Sequence, residues 1–175
     1  MIRTVRLKLA KKEPIMTTMF DSVNPVHIPT TATYVAGYVN GQWPTFNTLV
    51  KMFPHAVVVS IDVNGSAVAD VLDVETGNAT AQQAPAWVAK MRKLGKPGIV
   101  YCSRSWVESV LHAFKAANVP APYLWVADWT GQPHLVPGSV ATQWADGSTR
   151  YPGLAKWCDT SLLASNFPVT KTGKL

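Results

Sequence analysis

Cysteine and histidine are scarce in this sequence, and neither is arranged as a metal site. Among 175 residues there are two cysteines, Cys102 and Cys158, and four histidines. Two cysteines are too few for a disulfide framework, and neither they nor the histidines have the CxxC or Cys/His spacing of zinc ligands. We therefore expect buried free thiols, no metal and no other cofactor.

Long apolar runs and nucleotide-binding motifs are missing as well. No window approaches the roughly 18 consecutive apolar residues of a membrane-spanning helix, and the basic N-terminus lacks the apolar segment and cleavage site of an export signal. Neither a GxGxxG or P-loop sequence nor the GxSxG elbow of serine hydrolases occurs. We expect a soluble protein without a recognisable signal peptide, and neither a nucleotide-binding fold nor a serine hydrolase.

Positive charge is concentrated at the two ends of the chain. The formal net charge is +6; residues 1–13 contribute five basic residues and one glutamate, a net +4, and Lys171 and Lys174 add +2. A nucleic-acid groove needs basic residues interleaved with aromatic residues, and the nearly neutral middle of the chain lacks this pattern. We predict a basic N-terminal arm at 1–16, a domain at 17–167 whose body does not bind nucleic acid, and a basic C-terminal tail at 168–175.

Short runs rich in valine, isoleucine, tyrosine and tryptophan recur between turn signals, as expected for β-strands. Several are almost wholly apolar, which is typical of strands buried on both faces of a parallel sheet. Eight strands are predicted, at 18–22, 34–39, 57–63, 69–75, 98–103, 123–129, 140–144 and 158–163.

Three helical patterns lie between these strands. The clearest spans 80–94, where apolar residues follow a 3.6-residue period and Gly95 ends the pattern. The others span 105–117 and 45–52. Eight strands with three helices favour an α/β fold, a small barrel of the TIM type in which several crossover helices are shortened or missing.

Two carboxylates stand at the end of the strand predicted at 69–75. Residues two apart on a strand point to the same side, so Asp73 and Glu75 project together at the strand end where barrel enzymes assemble their sites. Because two neighbouring carboxylates cannot both ionise freely, one should have a raised pKa and serve as a general acid. The alternative is structural: Asp73 would cap the following turn or helix, and Glu75 would be an exposed loop residue.

Further motifs, taken with this pair, resemble a known family. In chain order they are Phe20-Asp21-Ser22, Asp73-Val74-Glu75, Ile99-Val100-Tyr101-Cys102-Ser103, Leu124-Trp125-Val126-Ala127-Asp128-Trp129, Thr142-Gln143-Trp144 and Asp159. Over roughly residues 17–167 this order resembles the glycoside hydrolase family 25 lysozymes, and most of all the short family-25-like domains of actinobacterial viruses and their hosts. The most specific part is the Asp-x-Glu strand combined with aspartates on the first and last strands.

The resemblance implies a peptidoglycan muramidase that cleaves between N-acetylmuramic acid and N-acetylglucosamine without a metal. Glu75 would be the general acid, and Asp73 would stabilise charge or orient the substrate 2-acetamido group. Asp21 and Asp159 would line the site. These roles suit a reaction that needs a proton donor and anionic stabilisation of an oxocarbenium-like centre.

Aromatic residues near strand ends are candidate sugar platforms. Tyr38, Trp129 and Trp144 are predicted to contact substrate, because sugars stack on aromatic rings. Trp125 fits the core equally well. Asp128 is expected to face away from the barrel interior and to bind a helix or loop.

Two functions remain open from the sequence. The first is a lysozyme-like glycosidase that acts on peptidoglycan glycan strands. The second is a catalytically weak or inactive structural or binding component of a virus particle, attached to virion proteins through residues 1–15. The expected location is accordingly the virion or, after secretion or release, the bacterial cell wall.

Overall fold

The computed structural model describes residues 17–147 and 157–170, and these form a closed barrel of eight strands. Each strand pairs with its neighbours in chain order, and the last strand closes the barrel against the first. This confirms the predicted small α/β barrel of the TIM type. The strands are β1 (Thr17–Asp21), β2 (Tyr34–Tyr38), β3 (Val57–Asp62), β4 (Val71–Val74), β5 (Ile99–Ser103), β6 (Tyr123–Ala127), β7 (Ala141–Ala145) and β8 (Asp159–Leu163).

The last strand differs from the others in direction. Strands β1 to β7 run parallel to one another, whereas β8 is antiparallel to both β1 and β7. The first residue of β8, Asp159, therefore lies at the same end of the barrel as the last residues of the other strands. A parallel β8, as in a regular TIM-type barrel, would have put Asp159 at the opposite end.

Three α-helices cover part of the outside of the barrel. They are α1 (Phe46–Met52), α2 (Ala84–Lys93) and α3 (Val107–Ala116), which follow β2, β4 and β5. The β1–β2, β3–β4 and β6–β7 connections, all within the described residues, contain no α-helix, as predicted for missing crossovers. Helix α2 begins later than the predicted residue 80, because Thr80 and Gln83 first form a reciprocally hydrogen-bonded capping turn.

Side chains alternate between the two faces of each strand, and this separates an inner core from an outer core. The inner cluster fills the barrel and includes Met19, Val59, Val71, Tyr101 and Trp125. The outer cluster lies between the sheet and helices α2 and α3 and includes Leu72, Val100, Cys102, Trp87 and Phe114. Since Leu72 and Val74 of β4 face the helices, the intervening Asp73 faces the barrel interior.

The segment after β8 closes the end of the barrel where the parallel strands begin. Phe167 and Val169 are buried in the inner cluster, and the Phe167 ring packs edge-on against Tyr34 with 6.2 Å between ring centroids. The packed chain thus continues two residues beyond the predicted domain end at 167. The predicted arm at 1–16 and residues 171–175 of the predicted tail lie outside the described residues.

Candidate active site

The predicted acidic residues meet at one end of the barrel, here called the mouth, where β1 to β7 end and β8 begins. Asp21 is the last residue of β1, and it lies directly opposite Asp159 of β8 in the antiparallel pair. Asp73 stands one residue before the end of β4, and Glu75 follows that strand. Residues at the C-terminal ends of parallel strands converge in barrels, and the reversed β8 adds Asp159 to them.

A central cavity of about 220 Å³ contains all four carboxylates. It also contains two of the three predicted sugar-contacting aromatic residues, Tyr38 and Trp129. The cavity lining is Asp21, Tyr38, Ile61, Asp73, Glu75, Tyr101, Trp125, Trp129, Gln143 and Asp159. The structure therefore brings together six of the seven residues singled out in the sequence.

Trp144 is the predicted site residue that the structure does not bring to the cavity. It is 6% exposed and packs with Ala145 and Leu162. On β7 it follows Gln143, whose side chain points into the barrel, and successive strand residues point to opposite faces. Its predicted contact with substrate is therefore not supported by its position.

Burial and mutual repulsion raise the pKa values of the acids in this cavity. Burial, and then the charge of Glu75, raise the pKa of Asp73 from 3.8 to about 7, although a hydrogen bond from Asn78 opposes the shift. Burial also raises the pKa values of Asp21 and Asp159, and the neighbouring carboxylates add to both increases. Glu75 is less enclosed; burial raises its pKa too, against a hydrogen bond with Tyr101. Asp73 is therefore partly protonated near neutral pH, as a general acid requires.

One oxygen of Asp73 has no partner among the described residues. Its Oδ2 accepts a hydrogen bond from Asn78 Nδ2 at 2.9 Å, whereas Oδ1 is buried and unbonded. An unsatisfied buried oxygen costs free energy, so Asp73 stands at this position at a cost to stability. This does not fit the alternative that Asp73 serves only to cap a turn.

Gln143 connects the carboxylates to the aromatic side of the cavity. Its Nε2 donates to Asp21 Oδ2 at 3.2 Å and to Asp159 Oδ2 at 3.4 Å. Its Oε1 accepts from the Tyr101 hydroxyl at 2.9 Å and from Trp129 Nε1 at 2.8 Å. Both ends of the amide are thus fully used, which fixes the Trp129 ring over the cavity.

Sequence reasoning gave no role to Gln143 or Tyr101, although both belong to the motifs that carry the family resemblance. A signal was present for Gln143. All five residues of β7 are buried, and a glutamine in such a strand must find partners for its amide. Nothing in the spacing identified those partners, since they lie on β1, β5 and β8 and in the loop after β6.

Asp128 behaves as predicted and faces away from the cavity. It forms ion pairs with Arg104 and His134. Burial acts to raise its pKa, but the hydrogen bonds from His134 and Arg104 outweigh this and lower it. The group links the loops after β5 and β6 beside the mouth and has no place in the central cavity.

Two larger cavities flank the central one along the mouth. One, of about 470 Å³, extends to Trp43 in the loop after β2. The other, of about 390 Å³, lies on the side of Asp21 and Asp159 and extends to Trp157. Both tryptophans are exposed, at 54% and 63%. Sequence reasoning missed them, because a tryptophan in a loop belongs to no strand or helix pattern.

No arrangement of three or more histidine, cysteine, aspartate or glutamate residues that could hold a metal ion occurs within residues 17–147 and 157–170. Among those residues there is likewise no helix long and apolar enough to span a membrane. Both cysteines are buried, and Cys102 packs among apolar side chains beneath the helices.

The fold is similar to two solved structures of the modular autolysin LytC from Streptococcus pneumoniae, one of them in complex with a synthetic peptidoglycan ligand. Both share 14% sequence identity with this chain at a TM-score of 0.52. The matches cover 86% and 88% of this chain but only 47% and 48% of the LytC chain, so this chain spans about half the length of its structural relative. The likeness extends to the barrel fold alone. No family model and no curated protein matches the sequence.

Proposed function

We propose that this chain is a lysozyme-like glycoside hydrolase that cleaves the glycan strands of peptidoglycan. The observation that carries the proposal is the convergence of Asp21, Asp73, Glu75 and Asp159 in one cavity that also presents Tyr38 and Trp129. Glycosidases use a protonated and an ionised carboxyl group on either side of the bond they break. The autolysin with the similar fold was solved with a peptidoglycan ligand, which supports this choice of substrate.

Glu75 is the proposed general acid. It is the most accessible of the four carboxyl groups, and burial raises its pKa above the ordinary value for a glutamate, which is the direction that a general acid needs. It would donate its proton to the glycosidic oxygen while the bond from that oxygen to the anomeric carbon breaks. An ionised carboxylate among Asp21, Asp73 and Asp159 would stabilise the positive charge that develops on the sugar. Water would then add to the anomeric carbon and give a proton to a carboxylate of the site.

The shape of the mouth also bears on the alternative function, a structural or binding component of a virus particle. The three cavities form a lined depression around the carboxylates, which favours sugar binding over a purely structural part in a particle. The attachment to virion proteins depends on residues 1–15, which are outside the described residues, and it stays a prediction. We propose the bacterial cell wall as the place of action.

The Glu75→Gln variant tests the proposal. It keeps the shape of the side chain but removes the transferable proton, so the loss of turbidity of purified bacterial cell walls should fall by at least about 100-fold. Glu108→Gln, which changes an exposed glutamate on α3, is the matched control and should keep full activity. Equal activity of the Glu75→Gln variant would exclude Glu75 as the acid. Binding of cell walls without cleavage by the unchanged protein would instead identify an inactive glycan-binding domain.

A further inference from the structure

Positive charge in the folded domain is concentrated at the end of the barrel opposite the mouth, here called the closed end. Six of the seven lysines and arginines within residues 17–147 and 157–170 lie there. They stand in the last turns of α1, α2 and α3 or in the loop after α2, where the chain returns to the start of the next strand. The six are Lys51, Lys90, Arg92, Lys93, Lys96 and Lys115.

Acidic residues have the opposite distribution. In the part of the chain that the structure describes, eight of the nine aspartates and glutamates belong to the mouth end. The exception is Asp70, which precedes β4 and is paired with Lys96. The one basic residue beside the mouth in this part of the chain, Arg104, is likewise paired, with Asp128. The molecule therefore has an acidic end and a basic end.

Four of the basic side chains are available to a partner. Lys51, Lys90, Lys93 and Lys115 are exposed, and within the described residues none of them forms an ion pair. Arg92, in contrast, donates to two backbone carbonyls of the loop before β6. The helix dipole favours a cation at each helix end, but it does not require the three in the last turn of α2. The dipole alone therefore does not explain this cluster.

Exposed apolar side chains lie among these cations. Met52 ends α1, Leu94 follows α2 and Tyr123 begins β6, and they are 44%, 55% and 41% exposed. Cations beside such side chains suit the surface of a bilayer, because the cations meet lipid phosphates while the apolar groups enter the interface. A nucleic acid would offer phosphates but no apolar layer for Met52 and Leu94. The composition of the closed end therefore favours anionic lipid.

The basic segments of the sequence adjoin the same end. Residues 1–13, with a net charge of +4, precede β1, and two further lysines follow Val169, which is packed at the closed end. Basic and apolar residues alternate in Val5-Arg6-Leu7-Lys8-Leu9, and this mixture is typical of segments that associate with anionic membranes. Both segments thus join the folded domain at its basic end.

We propose that the closed end is a surface that binds membranes containing anionic lipid, centred on the adjacent ends of α2 and α3, which contact each other. Lipid phosphates would pair with Lys90, Lys93 and Lys115, while Leu94 and Tyr123 would enter the interface. The mouth would face away from the bilayer, because its carboxylates and the lipid phosphates repel each other. This surface is separate from the candidate active site and does not depend on the hydrolase function.

Sedimentation of the full chain with lipid vesicles tests the surface. Vesicles of equal parts phosphatidylglycerol and phosphatidylcholine should bind it at least about tenfold more tightly than phosphatidylcholine vesicles, and added salt should weaken this binding. The variant Lys90→Gln/Lys93→Gln/Lys115→Gln should lose at least about tenfold in affinity for the anionic vesicles. Replacement of the same three lysines by arginine keeps the charge and should keep the binding.

A matched control lowers the net charge equally at the mouth end. Gln82→Glu/Ser109→Glu/Gln132→Glu changes three exposed residues in segments that follow β4, β5 and β6. It should keep vesicle binding within about twofold, because salt screens charges across the barrel. An equal loss in this control, or unchanged binding by the lysine-to-glutamine variant, would overturn the proposal.

Two results with the unmodified protein would also overturn it. Equal binding to both kinds of vesicle would show that anionic lipid is not recognised. Binding to double-stranded DNA without binding to anionic vesicles would assign the basic end to a nucleic acid instead.

Discussion

At residue 143 the orientation of one amide is determined by its surroundings. The Trp129 indole N–H can only donate, so the amide oxygen must face it and the Tyr101 hydroxyl, and the amide NH2 then faces the two aspartates. Only one of the two flipped positions of the amide meets all four requirements. A glutamate at this position could not donate to Asp21 and Asp159, and a leucine would remove this hydrogen bond from all four neighbours.

Replacing Gln143 should change how the aspartate pair titrates. The hydrogen bond from Gln143 lowers the pKa of Asp21 against the larger effect of burial, because it stabilises the ionised form. In Gln143→Leu the titration of the Asp21 carboxyl carbon, followed by NMR, should therefore move to higher pH. Trp144→Phe, a change at the next residue that faces away from the cavity, is the control and should not move it. A shift to lower pH would contradict this account of the amide.

At the scale of elements, hydrogen bonds join Gly147, which follows β7, to Trp157, which precedes β8. Trp157 N donates to Gly147 O at 2.8 Å, and Ser22 Oγ donates to Trp157 O at 2.7 Å. Trp157 itself has φ of +63°, a left-handed conformation that costs a residue with a Cβ roughly 1–2 kcal/mol. These bonds keep the indole beside Asp21 and Asp159, so the strain is located at the candidate site.

Gly147 allows the backbone at Trp157 and Cys158 to approach closely, and it offers a test of this contact. Its φ is +62°, and a Cβ there would lie 2.5 Å from Cys158 N. Gly77 also has a positive φ, of +90°, but a Cβ would meet nothing within 4 Å. We expect Gly147→Ala to lower the free energy of unfolding by more than about 2 kcal/mol, and Gly77→Ala by only about 1 kcal/mol. Equal losses in urea unfolding would indicate that the close contact with Cys158 is unimportant.

The strands and helices were largely predictable because their apolar periodicity reflects burial directly. All eight strands and three helices occur where the sequence predicts them, with differences of a few residues at the ends. Strand direction was not predictable in the same way. The apolar run of β8 is compatible with either direction, and only its pairing with β1 and β7 decides between them.

The site residues were predictable where carboxylates stand at the end of a strand. They were not predictable where their position depends on a loop or on the face of the strand to which the side chain points. Asp73 and Glu75 follow from their spacing, whereas the place of Asp159 at the mouth depends on the reversal of β8. Trp144 was singled out because it lies near a strand end. Its side chain points away from the cavity, however, because the preceding residue, Gln143, points into it. Long-range partners of a buried amide leave no local pattern in the sequence.

For the molecule as a whole, the acidic cavity should make folding stability depend on pH. The pKa of Asp73 is about 7 in the folded chain against an ordinary 3.8, so between these values the folded state binds more protons than the unfolded state. Stability therefore falls as pH rises through this window. Asp21, Asp159 and Glu75 have pKa shifts in the same direction and add to the effect.

Asp73→Asn isolates the contribution of one acid to this dependence. The variant has no charge to bury, so its free energy of unfolding at pH 8 should exceed that of the unmodified protein by up to a few kcal/mol, at about 1.4 kcal/mol per pKa unit. Near pH 4 the two proteins should differ little. Urea unfolding at both pH values measures this, and an equal stability difference at pH 4 and pH 8 would contradict the assigned titration.

The antiparallel last strand has a further, practical consequence. Thr17, the first residue of β1, pairs with Leu163, the last residue of β8, and Val169 is packed in the same closed end of the barrel. The described chain thus enters and leaves through the face opposite the carboxylates. A support, dye or fused domain joined next to either position would lie at the end of the barrel opposite the mouth. The protein could therefore be tethered through either position with its mouth turned toward an insoluble substrate.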